Sequence, residues 1–312
     1  MFTETRVGGR ESEPKAPTSL AIVALITAMV LWGGSYVITR WALEGAGPFS
    51  VLAFRLALAS IVLIPFARKQ GFAFRHVLDR RLVGFGVTGM VLHLGLEIVG
   101  LRFTSASSAA LVIASAPAVT AIFSIAFLGE RLTPPRWLGI AASIVGVVLV
   151  TGGVSPGGYP LGWLGNLLVF GGVLMWAVFT VQGKKIALDL PPLVTTTAAT
   201  VSAAFLAAIL SVVEISLSGA PSLETKSIAA IVYLAVFAHA GAYGLWNHAL
   251  RHVDASVAGP YINLVPVIGV AFGLLVGETL TLVQGIGGGI VAVGIYLSYR
   301  YDDGARERRL PK

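Results

Sequence analysis

The sequence predicts an all-α integral membrane protein of ten transmembrane helices, set as two inverted five-helix repeats around a central cavity. Three observations carry that prediction. Only 12% of the 312 residues are charged and 56% are hydrophobic, where a soluble globular chain carries roughly 25% charged residues. Ten apolar windows come close to the roughly 20 residues that cross a hydrocarbon core as a helix. The scarce residue types recur in the same order in both halves. With a mean hydropathy of +0.84 there is too little polar surface to face water, so the solvent is a lipid bilayer.

In chain order the windows are 20–42, 48–67, 82–101, 105–128 and 136–151, then 161–183, 193–215, 227–250, 255–276 and 282–299. The seventh has the weakest signal, being rich in Ala and in Thr195, Thr196, Thr197 and Thr200. The connections are short and leave no room for a soluble domain. The expected organisation is a disordered cytoplasmic tail over 1–19, a first repeat over 20–152, an inverted second repeat over 160–300 and a basic cytoplasmic tail over 301–312. The first tail mixes both charge signs with Pro14 and Pro17 and lacks the basic, apolar, small-residue order of a cleaved signal peptide.

Orientation follows from the basic residues beside the spans. With the N-terminus in the cytoplasm, 18 of the 22 Lys and Arg fall on the inner side. Only Arg40, Arg102 and Lys226 fall outside, and Arg55 lies within a span. Both termini are then cytoplasmic, which needs an even number of spans. The same asymmetry accounts for the net charge of +7 as inner loops facing anionic lipid, so no nucleic-acid partner is expected. The chain has no Cys and five scattered His, so no disulfide, thiol nucleophile, metal site or cofactor is expected.

Offset by 144, Trp32, Arg40 and Pro48 fall on Trp176, Lys184 and Pro192. Offset by 149, Gly95-Leu96, Leu101-Arg102, Ala106-Ser107 and Pro117 fall on Gly244-Leu245, Leu250-Arg251, Ala255-Ser256 and Pro266. Offset by 148, Gly129-Glu130, Leu132-Thr133, Gly139 and Gly146 fall on Gly277-Glu278, Leu280-Thr281, Gly287 and Gly294. The Trp, Arg, Pro and Glu matches carry the argument because those types are scarce here. Five spans per half is odd, so the second half enters the membrane from the other side. Such repeats suit alternating access around a site near the midplane.

Trp32-Gly33-Gly34-Ser35-Tyr36 leads to Arg40, Arg55 lies in the second span, and Ala106-Ser107 leads to Pro117. Gly129-Glu130-Arg131-Leu132-Thr133 precedes a Gly-spaced fifth span and is echoed by Gly277-Glu278-Thr279-Leu280-Thr281. Together these resemble the drug/metabolite transporter superfamily, in particular its EamA-type ten-span members, over residues 20–300. The resemblance implies an exporter in a bacterial inner membrane, carrying amino acids or related metabolites through a cavity between the halves. Aromatic amino-acid exporters are the nearest kind. The sequence departs from symmetry where Ala199 stands opposite Arg55 and where Pro260 is added.

Glu97 is the one acid well inside a predicted span, and intramembrane acids default to function. His93 shares its helix face at i−4. The pair either couples proton entry to solute exit or is held in fixed hydrogen bonds. Trp32, Tyr36 and Arg40 drift slowly around one face of the first span; Trp32 and Tyr36 are expected to line the cavity and Trp41 to anchor at the interface. Arg40 suits either role. Arg55 either binds a solute carboxylate or pairs with Glu97 or Glu44. In the eighth span Tyr243, Trp246 and Asn247 are expected to face solute, with His239 a turn earlier and His248 and His252 near the cytoplasmic interface. Asn263 adds a polar group in the ninth. Pro117 and Pro266 stand mid-span in repeat-related positions and read as hinges or packing kinks. Glu130 and Glu278 read as helix caps, or as partners of bases such as Arg131 and Arg136. The glycines of the fifth and tenth spans read as scaffold or as a homodimer surface.

The leading reading is a secondary transporter for a small-molecule solute. There is no phosphate-binding loop of the Walker type in the sequence, which points to an ion gradient or the solute's own gradient as the driver. The alternatives are an integral-membrane enzyme using His93, Glu97, His239 and His248, and a passive channel.

Overall fold

The computed structural model describes residues 19–128, 134–152, 159–186, 190–249, 252 and 259–307. Glu130, Arg131, Arg251, Ala255 and Ser256 lie outside the described residues, as do 1–18 and 308–312. Among the described residues every regular element is helical. Hydrocarbon offers no partner to backbone N–H and C=O groups, and a helix satisfies them within one segment.

Among the described residues these helical rods follow one another: α1 (Ser19–Leu43), α2 (Pro48–Arg68), α3 (Arg80–Gly100), α4 (Ala106–Phe127), α5 (Pro134–Gly152), α6 (Gly162–Ile186), α7 (Pro192–Ser218), α8 (Thr225–Trp246), α9 (Leu264–Leu275) and α10 (Leu282–Glu307). Seven are long and apolar enough to cross a membrane, and three contain shorter apolar stretches, Trp137–Thr151, Tyr261–Leu275 and Leu282–Gly294. Those three occupy the fifth, ninth and tenth predicted windows. The chain is thus a multi-pass membrane protein. α10 continues to Glu307, into the stretch expected to be tail.

Local chemistry sets the ends. Pro48 and Pro192 open α2 and α7, where a missing N–H costs nothing. Asp79 accepts from the Arg81 N–H at the start of α3, and the bond from the Arg81 side chain, with this backbone bond, holds its carboxyl below the usual carboxylate range. The Ser105 side chain accepts from the Ser108 N–H at the start of α4. Gly219, at φ 90°, ends α7.

Three rods are irregular where the interior is polar. α3 widens into a π turn over Val87–Leu92, and α8 does the same over Tyr233–Gly241. Composition gives no sign of either turn. α4 breaks at Ala114 and Ser115, and Pro117 is the second residue of its resumed helix. Pro266 likewise lies in the first turn of α9, after a 3-10 turn over Gly259–Asn263. The expectation of mid-helix kinks is corrected: each proline begins a helical piece, where no intrahelical bond is lost.

The rods pair across the two halves. α2 packs on α7, α5 on α10, α3 on α6, and α1 on α8 and α9; α4 packs on α6 and α9. The α5–α10 contact is backbone against backbone. A Cβ on Gly146 would stand 2.5 Å from the Gly287 carbonyl oxygen, and one on Gly294 would stand 2.5 Å from that of Gly139. As the number rises on one helix it falls on the other, so the two run antiparallel. These glycine faces are therefore used within the chain.

Gly146→Val forces those backbones apart, and overpacking of this kind costs about 1–3 kcal/mol. Thermal unfolding in detergent should show a midpoint lowered by several degrees. A Cβ at Gly289 meets nothing within 4 Å, so Gly289→Ala should not lower it. Equal midpoints for the two variants would contradict the contact.

Candidate functional site

A cavity of about 380 Å³ lies among α1, α2, α3, α4, α6, α7, α8 and the start of α9. α5 and α10 contribute nothing to its lining. Of the residues singled out from sequence, Trp32, Tyr36, Arg55, His93, Glu97, Tyr243, Trp246, Asn263, Pro117 and Pro266 all line it. The Asn247 side chain lies outside what the structure describes. His248 is exposed and stacks with His252, 4.6 Å between ring centres, away from the cavity. Of the four residues in the enzyme alternative, the cavity thus gathers His93, Glu97 and His239 but not His248.

The aromatic wall forms two groups. Trp32 meets Tyr243 edge-on at 5.4 Å and Trp246 at 6.0 Å. Trp176 packs against the His93 ring at 5.1 Å and Phe179 at 5.3 Å, and Phe179 stacks on Phe85 at 4.0 Å. Trp176, Phe179, Thr180 and Thr196 were not singled out from sequence. Trp176 was within reach, because the offset of 144 places it on Trp32.

The polar groups are few and buried. Arg55 is 4% exposed, and its Nε and Nη1 have no hydrogen-bond partner among the described residues. Neither expected acid takes it. Glu44 pairs with Lys226 at 2.6 Å, and Glu97 Oε2 stands 3.9 Å from His93 Nε2. Geometry explains the difference: Glu44 lies at the far end of α1, beyond Arg40, and Glu97 is held beside a ring on its own helix. His93 Nδ1 lies 2.9 Å from the Gly172 carbonyl oxygen. That oxygen only accepts, so Nδ1 carries a hydrogen and Nε2 faces the carboxyl.

One end of the bundle is tied together by hydrogen bonds between the halves. Glu278 accepts from the N–H groups of Ala106 and Ser107, both at 2.8 Å, and so caps α4. Arg40 donates to the Thr104 carbonyl at 2.7 Å, lies 3.9 Å from Glu278 and stacks over the Tyr159 ring at 4.8 Å. Glu214 accepts from the N–H groups of Phe49 and Ser50 at 3.2 and 2.8 Å, and so caps α2. The expectation that Glu278 caps the helix that follows it is corrected. α4, from the other half, brings its free N–H groups to the same end and offers a carboxylate a better site. Arg40 belongs to this end and not to the cavity, and Lys226 lies over the Trp41 ring at 5.4 Å. Away from it, the lining runs to Phe85 near the start of α3 and Gly183 in the last turn of α6.

The lining is paired by the sequence offsets. Offset by 149, Leu94 and Glu97 fall on Tyr243 and Trp246, and Ile113, Ala114, Ala116 and Pro117 fall on Ile262, Asn263, Val265 and Pro266. Offset by 144, Trp32, Ser35 and Tyr36 fall on Trp176, Phe179 and Thr180. Both members of every pair line the cavity.

The profile of the EamA-like transporter family matches the chain twice, at residues 19–152 and 163–300. Similar proteins include the "Uncharacterized transporter YyaM" of Bacillus subtilis, 29% identical over 88% of this chain and 91% of that one. The "Uncharacterized inner membrane transporter YedA" of Escherichia coli is 27% identical over 88% and 89%. A "Probable amino-acid metabolite efflux pump" of Escherichia coli is 26% identical over 88% and 93%. A crystal structure at 21% identity superposes with a TM-score of 0.64, over 93% of this chain and 99% of that one, and shows the same fold.

The chain has no Cys, so a single Thr180→Cys reports access to the cavity. In oriented vesicles a hydrophilic maleimide should label it from the Phe85–Gly183 end and not from the Arg40–Glu278 end. Adding Glu278→Ala leaves two N–H groups unpaired and should open the second route. Equal labelling from both ends without Glu278→Ala would show that the Arg40–Glu278 end is not closed.

Proposed function

Because the chain belongs to the EamA-like transporter family, we propose that it is a secondary transporter that exports small metabolites, amino acids foremost, by alternating access. The carrying observation is a cavity that holds Arg55, its Nε and Nη1 unpartnered among the described residues, beside an aromatic wall, in a bundle tied between the halves at one end. Arg55 binds the solute's carboxylate, and Trp32, Trp176, Tyr243 and Trp246 hold its apolar body. One relative's name, an amino-acid metabolite efflux pump, favours this solute class.

In this reading the chain crosses the membrane ten times as two inverted repeats. α5 has 19 residues, about 28 Å at 1.5 Å per residue. α9 has 12 residues after a 3-10 turn of 5, together also about 28 Å. Either length suits a hydrocarbon core about 30 Å thick. Inversion is supported by the antiparallel approach of Gly139 to Gly294 and of Gly146 to Gly287, since the offset of 148 puts Gly139 on Gly287 and Gly146 on Gly294. The basic residues put both termini in the cytoplasm. The tied end then faces outward, and the cavity reaches into the inner half. Exchange of the two halves' conformations opens the other side.

Glu97 and His93 form the coupling site. With His93 Nδ1–H fixed on Gly172, a proton resides either on Nε2 or on the Glu97 carboxyl, which stand 3.9 Å apart, beyond direct hydrogen-bond reach. The other ionisable groups lining the cavity are Arg55, Tyr36, His239 and Tyr243. Protons entering from outside drive solute out, and each site is reset on the inner side.

The test is transport in proteoliposomes across the amino acids, with and without a proton gradient. Saturable uptake with counterflow is expected; flux that never saturates favours a channel. Glu97→Gln should abolish the pH dependence of transport, and unchanged dependence would remove the coupling role. Arg55→Gln loses charge-assisted bonds of about 1.5–3 kcal/mol, so KM for carboxylate solutes should rise about tenfold or more.

A further inference from the structure

We infer that His239 contacts the solute, its Nδ1 accepting a hydrogen bond from an N–H or O–H group beside the solute's anionic end. The inference rests on the transporter reading above. His239 is wholly buried in the π turn Tyr233–Gly241, its ring lines the cavity, and Tyr243 packs on it at 5.2 Å between ring centres.

The hydrogen bonds fix which ring nitrogen is free. Thr200 has one hydroxyl hydrogen and donates it to the Thr196 carbonyl at 2.8 Å. Its oxygen also lies 3.0 Å from His239 Nε2, so there it must accept, and Nε2 carries the hydrogen. Neutral imidazole then leaves a bare lone pair on Nδ1, which has no partner among the described residues. Buried acceptors nearly always have a donor. In a cavity wall the missing donor comes from the occupant.

Arg55 presents the complementary deficit, two donor nitrogens, Nε and Nη1, without acceptors among the described residues. One cavity of about 380 Å³ thus holds unpaired donors and an unpaired acceptor. A plain carboxylate satisfies only Arg55. A solute with a carboxylate and a neighbouring amino or hydroxyl group satisfies both. Glu97 does not replace His239, because it faces His93.

The probes are phenylalanine, phenyllactate and 3-phenylpropionate, which share carboxylate and ring and differ in the donor next to the carboxylate. In proteoliposomes the unmodified protein should prefer the first two over the third by about tenfold or more, since a site built around a hydrogen bond rejects an analogue lacking it. His239→Asn keeps an amide near the Nδ1 position and should retain part of the preference. His239→Gln places its amide nearer the Nε2 position and should bring the three within about twofold, the third acid's own KM being unchanged. Equal behaviour of the Asn and Gln variants, or a preference that survives His239→Gln, overturns the inference. If the unmodified protein carries all three acids alike, the inference fails while the transporter reading stands. If it carries no amino or carboxylic acid at all, both fail.

Discussion

In a bilayer each buried polar group must find its partner within the chain, and this molecule meets that demand differently at two depths. At the end held by Glu278 and Glu214 the helix starts are capped, while Ser107 Oγ and Thr39 Oγ1 have no partner among the described residues. Glu278 and Glu214 take the free N–H groups that begin α4 and α2, and Arg40 takes a carbonyl that no helix uses. At the cavity it is left unmet, on Arg55 and His239. Unpaired groups of this kind disfavour an empty, dry site. They favour whatever brings the missing partners, which is the basis on which the proposed site was chosen.

Rigidity is divided in a matching way. α5 and α10 lie against each other through glycine backbones and stay out of the cavity. The irregular helices all line the cavity, beside the regular α1, α2, α6 and α7: α3 and α8 with π turns, α4 broken before Pro117, and α9 entered through a 3-10 turn before Pro266. Irregular backbone survives at membrane depth only where protein or a polar cavity covers it. The same irregularity supplies places where a helix can bend without breaking a regular ladder.

Much of this was legible in the sequence because it is written in composition and spacing. Apolar length gives the rods, scarce residues in repeated order give the pairing, and intramembrane Arg55, His93 and Glu97 stand out against an uncharged background. What was not legible depends on contacts between distant segments. Nothing local to Glu278 says that it caps a helix in the other half, and nothing local to Arg55 says that both candidate acids point elsewhere. The π turns leave no compositional trace. Thr200 gives the His239 ring its orientation from another helix, 39 positions away in the chain. Trp176 is a different case, since the repeat pointed to it and its own surroundings did not.

The paired lining has a consequence for how a solute sits. Two identical halves would build a site with two-fold symmetry, which binds a lopsided molecule equally well in two orientations. Here the frame is kept and the chemistry is not: Glu97 answers to Trp246, Leu94 to Tyr243, Tyr36 to Thr180 and Ala114 to Asn263. Arg55 answers to Ala199, so the cation stands on one side only. In the transporter reading proposed above, an amphipathic acid is held one way round, its anionic end toward Arg55 on α2. The repeat provides the means to move, and the substitutions that break it give the site its polarity.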